Sequence, residues 1–116
     1  MRQLRIEIDR SVALHEGAER GHNRWHPQLE AGRAITYNAL RLYHSGFDAV
    51  KEVTMAKLKT QRDAFEQADD ALQIFGGAGY MKEYGIERAW RDMRLNRIGA
   101  GTDEVMLDVI GRSYGL

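Results

Sequence analysis

The chain has no cysteine among its 116 residues. Disulfides and cysteine-based metal sites are therefore excluded. It has a single proline, Pro27, and few β-branched runs, which argues for helix over strand. It has no excess of either charge: Lys+Arg and Asp+Glu both total 17. That balance gives no electrostatic ground for a nucleic-acid or anionic-membrane partner, where a basic excess is expected. No apolar run approaches the ~20 residues that span a bilayer. The first residues, Met1 to Glu7, alternate charged and apolar side chains without a signal-peptide core. The expectation is one domain in the cytoplasm, with no membrane partner and a modest hydrophobic core.

What is present is helical periodicity interrupted by glycine. Leu4, Ile8, Val12 and Leu14 predict a helix from about Arg2 to Arg20. Gly21 to Pro27 holds glycine, asparagine, two histidines and the proline, and predicts a break. Pro27 suits the first turn of a second helix running to about His44, with Leu29, Ile35, Ala39, Leu42 and Tyr43 on its apolar face. Ser45-Gly46 ends it, and Asp48 is the expected N-cap of the next. That third helix, Asp48 to Phe75, carries Val50, Val53, Ala56, Ala64, Ala68, Leu72 and Phe75 as an expected core stripe. At 1.5 Å per residue it would be roughly 40 Å long, which suits an antiparallel bundle. Gly76, Gly77 and Gly79 stop it. Ile86 to Ile98 predicts a short arginine-bearing helix. Gly99-Ala100-Gly101 breaks that helix, and Thr102 caps a last one, with Glu104 near its start. The fold class expected is all-α, an up-and-down antiparallel bundle of four to five helices.

Several features admit simple structural readings. Gly76-Gly77-x-Gly79 lacks the third glycine of a dinucleotide loop, whose place is held by Lys82, and no strand precedes it. A helix stop explains it. His22 and His26 are four apart but have no evident third ligand, so no metal site is expected. Arg88, Arg91, Arg94 and Arg97 form one helix edge, diluted by Glu83, Glu87 and Asp92, which argues against nucleic acid. Trp25, Trp90 and Tyr84 are expected as core or interface anchors.

Three blocks go further. The first is Gln28-Leu29-Glu30-Ala31-Gly32-Arg33 with residues 48–57. The second is the run from Leu72 through Phe75-Gly76-Gly77-Ala78-Gly79-Tyr80 to Asp92. The third is Arg91 to Val105, with its Gly99-Ala100-Gly101-Thr102-Asp103-Glu104 ending. In this order and spacing they resemble the C-terminal helical domain of the acyl-CoA dehydrogenases, flavoenzymes that desaturate acyl-CoA thioesters. The likeness covers residues 28–116. Residues 1–27 depart from it, and the family's flavin-binding Arg-Lys-x-Phe-Gly stretch is missing there. They read either as a divergent first helix or as sequence from another frame.

The resemblance implies an FAD cofactor, an acyl-CoA substrate, an electron-transfer flavoprotein partner and a homo-oligomer. It implies that Gln73, Ile74, Phe75, Gly76 and Gly77 line the FAD of a neighbouring subunit. Thr102, Asp103 and Glu104 would lie by the flavin's diphosphate and ribose, and Ala100 and Gly101 by the thioester. Much of the family places a catalytic glutamate directly before the Gly-Thr pair. Here Ala100 stands there and cannot accept a proton, as in the isovaleryl- and long-chain-type branches. No catalytic residue is therefore assigned. The resemblance also implies a missing β-domain, hence little activity alone. The alternative is a helical interaction module that keeps the family's oligomer surface without its chemistry.

Overall fold

The computed structural model describes residues 18–116, which form five α-helices and one 3₁₀ turn. They are α1 (Ala18–His44), α2 (Val50–Phe75), α3 (Gly77–Tyr80), the 3₁₀ turn Lys82–Tyr84, α4 (Ile86–Asn96) and α5 (Asp103–Ser113). Among the described residues there is no strand, as the all-α expectation requires.

Helix α2 is the central element. Helix α1 lies antiparallel along one side of it. Near one end Trp25 Nε1 donates to Asp70 Oδ2 at 3.1 Å, and Gln28 Nε2 donates to Glu66 Oε2 at 3.1 Å. Farther along, Gly32 faces the Thr60 methyl group. The seam is lined by small residues: Gly32, Ala39 and Ala56 are buried. A Cβ at Gly32 would sit 3.3 Å from Thr60 Cγ2, tighter than ordinary packing. Threonines on both helices satisfy their hydroxyls one turn back. Thr36, Thr54 and Thr60 donate to the carbonyls of Gly32, Val50 and Ala56 at 2.7, 2.6 and 2.8 Å. The polar groups beside the seam are thus paired locally.

Helices α4 and α5 run along a second side of α2, both antiparallel to it and one after the other. Trp90 Nε1 donates to Asp69 Oδ1 at 2.7 Å, and Arg97 lies over the Phe65 ring. Asp103 then meets Arg62, and Tyr114 lies under the Lys51 ammonium. The two helices form one interrupted path, broken at residues 97–101.

Three expectations need correction. The break at Gly21–Pro27 is absent, for α1 runs through both residues. An interior proline forfeits one backbone bond and costs about 3 kcal/mol. Here the Trp25 and Gln28 anchors lie on either side of Pro27 and hold the helix on α2. Asp48 is not the formal N-cap. Helix α2 begins two residues later, though Asp48 Oδ1 still accepts from the Val50 N–H at 3.1 Å. Finally, the α2 stripe is not simply core. Ala56 is buried, but Val50 is 60% and Val53 49% exposed. Small residues fill the seam, so larger members of the stripe fall beyond it. The helix expected over Arg2 to Arg20 lies, up to residue 17, outside the described residues.

Candidate functional site

The residues singled out from sequence fall into two groups, both placed by α2. The first is at its C-terminal end. Gln73 is exposed, and Ile74 and Phe75 are half-buried. Gly76 closes the helix at φ +56°, with its N–H on the Gln73 carbonyl at 3.1 Å. Gly76 and Gly77 are exposed, and a Cβ built on either meets nothing within 4 Å. Gly79 differs. It is buried, and a Cβ there would lie 2.8 Å from both the Leu72 carbonyl oxygen and Phe75 Cβ. Sequence reading took Gly79 for part of a stop. The structure makes it the point where the chain folds back onto the end of α2. Gly79→Ala is expected to destabilise by about 1–2 kcal/mol, since a backbone carbonyl must move. Urea unfolding measures it, and Gly77→Ala should cost less because its Cβ enters open space.

The second group is the break between α4 and α5. Gly99 N–H donates to the Leu95 carbonyl at 2.8 Å, closing α4. Ala100 then takes φ +53° and Gly101 φ +97°. Ala100 is the non-glycine residue at positive φ among the described residues. Thr102 caps α5 as expected, its hydroxyl oxygen accepting from the Val105 N–H at 3.4 Å. Glu104 is exposed. Its own backbone N–H, then the Thr102 hydroxyl, hold its carboxyl below the usual range.

Asp103 turns inward and is 7% exposed. Its Oδ2 accepts from Arg62 Nε at 3.0 Å and from Arg97 Nε and Nη2 at 2.9 and 2.6 Å. Burial by itself raises this carboxyl's pKa. The hydrogen bonds from Arg97 and Arg62 and their charges outweigh that and hold it below its ordinary 3.8. Arg97 is braced in turn by its stacking on Phe65, which also contacts Trp90. Lys57, in the first third of α2, donates its ammonium to the carbonyls of Gly99, at 3.1 Å, and Gly101.

Sequence reasoning missed Lys57 and Arg62. Their partners are 41 to 44 residues away, and nothing local marks them. The arginine ladder divides in two. Arg88 and Arg91 make surface pairs with Asp92 and Glu87, while Arg94 and Arg97 lie over Phe65. Both tryptophans anchor flanking helices to neighbouring aspartates on α2, but Tyr84 is exposed.

The two groups do not meet in one pocket. Arg62, beneath the break, and Gln73 are eleven residues apart on a straight helix, about 16 Å. The clefts along the α1–α2 seam, of about 300 and 490 Å³, are lined mainly by other residues, such as Gln28, Tyr37, Tyr43 and Thr60, with Lys57 reaching the larger one. Among the described residues no cluster of three or more His, Asp or Glu could hold a metal ion. No helix there is long and apolar enough to cross a membrane.

A long helix flanked by an antiparallel partner and by a glycine-broken path defines an α-helical domain. Residues 5–115 match the family described as Acyl-CoA dehydrogenase, C-terminal domain, and the chain belongs to that family. A Bacillus subtilis acyl-CoA dehydrogenase is 35% identical over 108 residues, covering 93% of this chain and 28% of that protein. The butyryl-CoA dehydrogenase structure from Megasphaera elsdenii superposes with a TM-score of 0.81 at 30% identity, over 88% of this chain and 27% of that one. An FAD complex of PigA superposes at 0.72 with 35% identity, over 77% and 23%. The chain thus spans about a quarter of the length of these relatives.

Proposed function

We propose that this chain supplies the C-terminal helical part of an FAD-dependent acyl-CoA dehydrogenase, acting on an acyl-CoA thioester. The observation that carries the reading is the break between α4 and α5. A strained glycine turn there leads directly into a threonine-capped helix, and both are fixed to α2 by Lys57 and Arg62.

The residues fit a flavin in most respects. Gly76 and Gly77 leave the backbone open where a flat ligand can approach. Thr102 begins an eleven-residue helix whose N-terminal dipole and first-turn N–H groups suit a diphosphate. Glu104 is exposed beside it and is held ionised, which suits a ribose hydroxyl better than a phosphate. Asp103 fits differently from the expectation. With Oδ2 taken by Arg62 and Arg97, it supports the turn from beneath. The flavin, when bound, takes up the substrate's β-hydrogen as hydride. The chain's own part is to position and to exclude water. Ala100 offers no proton acceptor, so this turn cannot itself remove the α-proton.

About 16 Å along α2 separates the two groups. That agrees with each serving a different flavin, Gln73 to Gly77 reaching the cofactor of a neighbouring subunit. Electron-transfer flavoprotein would be the redox partner of the assembled enzyme.

The test is spectroscopic. Mixed with FAD and an acyl-CoA, the chain alone is expected to leave the flavin's visible band unbleached. Bleaching would overturn the assignment of positioning without a base. Yellow flavin retained on purification supports the cofactor role.

One observation favours a second reading, an oligomerisation module without chemistry. Sixteen large apolar residues among those described are at least 46% exposed, including Tyr37, Tyr43, Phe47 and Val53. So much exposed apolar surface asks for a covering partner. A colourless oligomer with no affinity for FAD would decide for it.

A further inference from the structure

The Gly99–Ala100–Gly101 turn adopts a conformation its sequence disfavours. Ala100 sits at φ +53°, where an L-residue's Cβ crowds the following carbonyl. Gly101 follows at φ +97°, and a Cβ there would collide with the Met106 Cε methyl. Glycine meets the need at residue 101, but not at residue 100. Something outside the turn must hold Ala100 there.

The candidate is Lys57. Its ammonium donates to the carbonyl oxygens of both Gly99, at 3.1 Å, and Gly101. Those carbonyls belong to the two peptide groups bracketing the Ala100–Gly101 pair. An ammonium has three donors on a compact centre, so one lysine can fix two converging carbonyls. Lys57 is half-buried on α2, and its backbone lies within an unbroken helix. The constraint is therefore anchored to the most regular element of the fold.

We propose that Lys57 is a positioning residue: it chelates the carbonyls of Gly99 and Gly101, and so locks Ala100 in the left-handed region and sets the direction in which α5 begins. The proposal rests on the preceding functional reading only in that the locked turn is the one assigned to the acyl thioester. The lock has its own consequence for the chemistry. A turn that could relax would carry Ala100 and the Thr102 cap away from any ligand bound against them, and Lys57 removes that freedom before binding.

The experiment is a double-mutant cycle on the full chain, read by urea unfolding without ligand. In the parent, Ala100→Gly relieves the left-handed strain and is expected to raise the folding equilibrium constant about threefold, net of glycine's added unfolded-state freedom. In Lys57→Met the turn relaxes and Ala100 returns to negative φ. There Ala100→Gly brings no gain or a small loss. An equal gain in both backgrounds would overturn the proposal. If Lys57→Met is too unstable to measure, Lys57→Gln replaces it, and the Ala100 Cα chemical shift is followed by NMR. The shift should leave its left-handed value; an unchanged shift overturns the proposal. Failure of the chain to bind FAD would strike the functional reading and leave this cycle untouched.

Discussion

Replacing Ile86 by alanine is expected to remove about 3 kcal/mol of stability. Ile86 is 2% exposed and is the large side chain that the described residues bury completely. It opens α4 directly after Gly85, which turns the chain at φ +72°. Helix α4 packs both on α2 and on the short α3 that follows the Gly76 stop. A void at Ile86 is therefore felt at the join between the glycine turn and the arginine helix. The core elsewhere is made of alanines, so little can collapse to refill the space. Ile86→Val should cost about 1 kcal/mol, because one methylene is lost instead of three carbons. Denaturant midpoints give the comparison. A loss for Ile86→Ala no greater than that for Ile86→Val would mean the site is not packed as described.

Asp103→Ala should cost about 2–3 kcal/mol. It leaves Arg62 and Arg97 facing each other without the anion that both hold. A fully buried pair broken on one side loses about 3–5 kcal/mol. The figure is smaller here because the Arg62 side chain is 44% exposed and that of Arg97 29%, so water takes up part of the loss. Acid dependence provides a second measurement. The folded-state pKa of Asp103 lies below its ordinary 3.8, so its contribution is complete above that value. It is lost as pH falls through the lower folded value, where the native carboxylate finally takes a proton. Asp103→Asn should flatten that acid limb and leave the neutral-pH profile parallel to the parent's. An unchanged acid limb would place the dependence on other carboxylates.

The two substitutions act on different parts of one design. Ile86 holds α4 against the glycine end of α2, and Asp103 holds the start of α5 against its middle. Between them lies the interrupted path whose turn is assigned to the ligand. Its rigidity depends on side chains rather than on helix hydrogen bonds, since the break forfeits those.

Local information was enough for much of this. The all-α class, the extent of α2 and the stop at Gly76 follow from periodicity and glycine chemistry. The end of α1 at Ser45-Gly46 and the Thr102 cap follow from residues adjacent in the chain. The glycine-centred motifs carried the family likeness. Pro27 misled because its local preference to begin a helix gave way to anchors donated by Trp25 and Gln28 to residues on α2. Val50 and Val53 misled because periodicity identifies a face but not what covers it.

Tertiary structure alone decided which charges meet. The Lys57 ammonium and the Arg62 guanidinium look like ordinary surface groups in sequence, and the Asp103 carboxylate reads there as a ligand contact. They become a clamp because α5 runs antiparallel to α2 in one particular register. That register is set by packing between residues more than forty positions apart. A helical period repeats every 3.6 residues and carries no record of its neighbour's phase. The chain's order therefore specified the helices and their breaks, and packing between helices specified which break is held rigid.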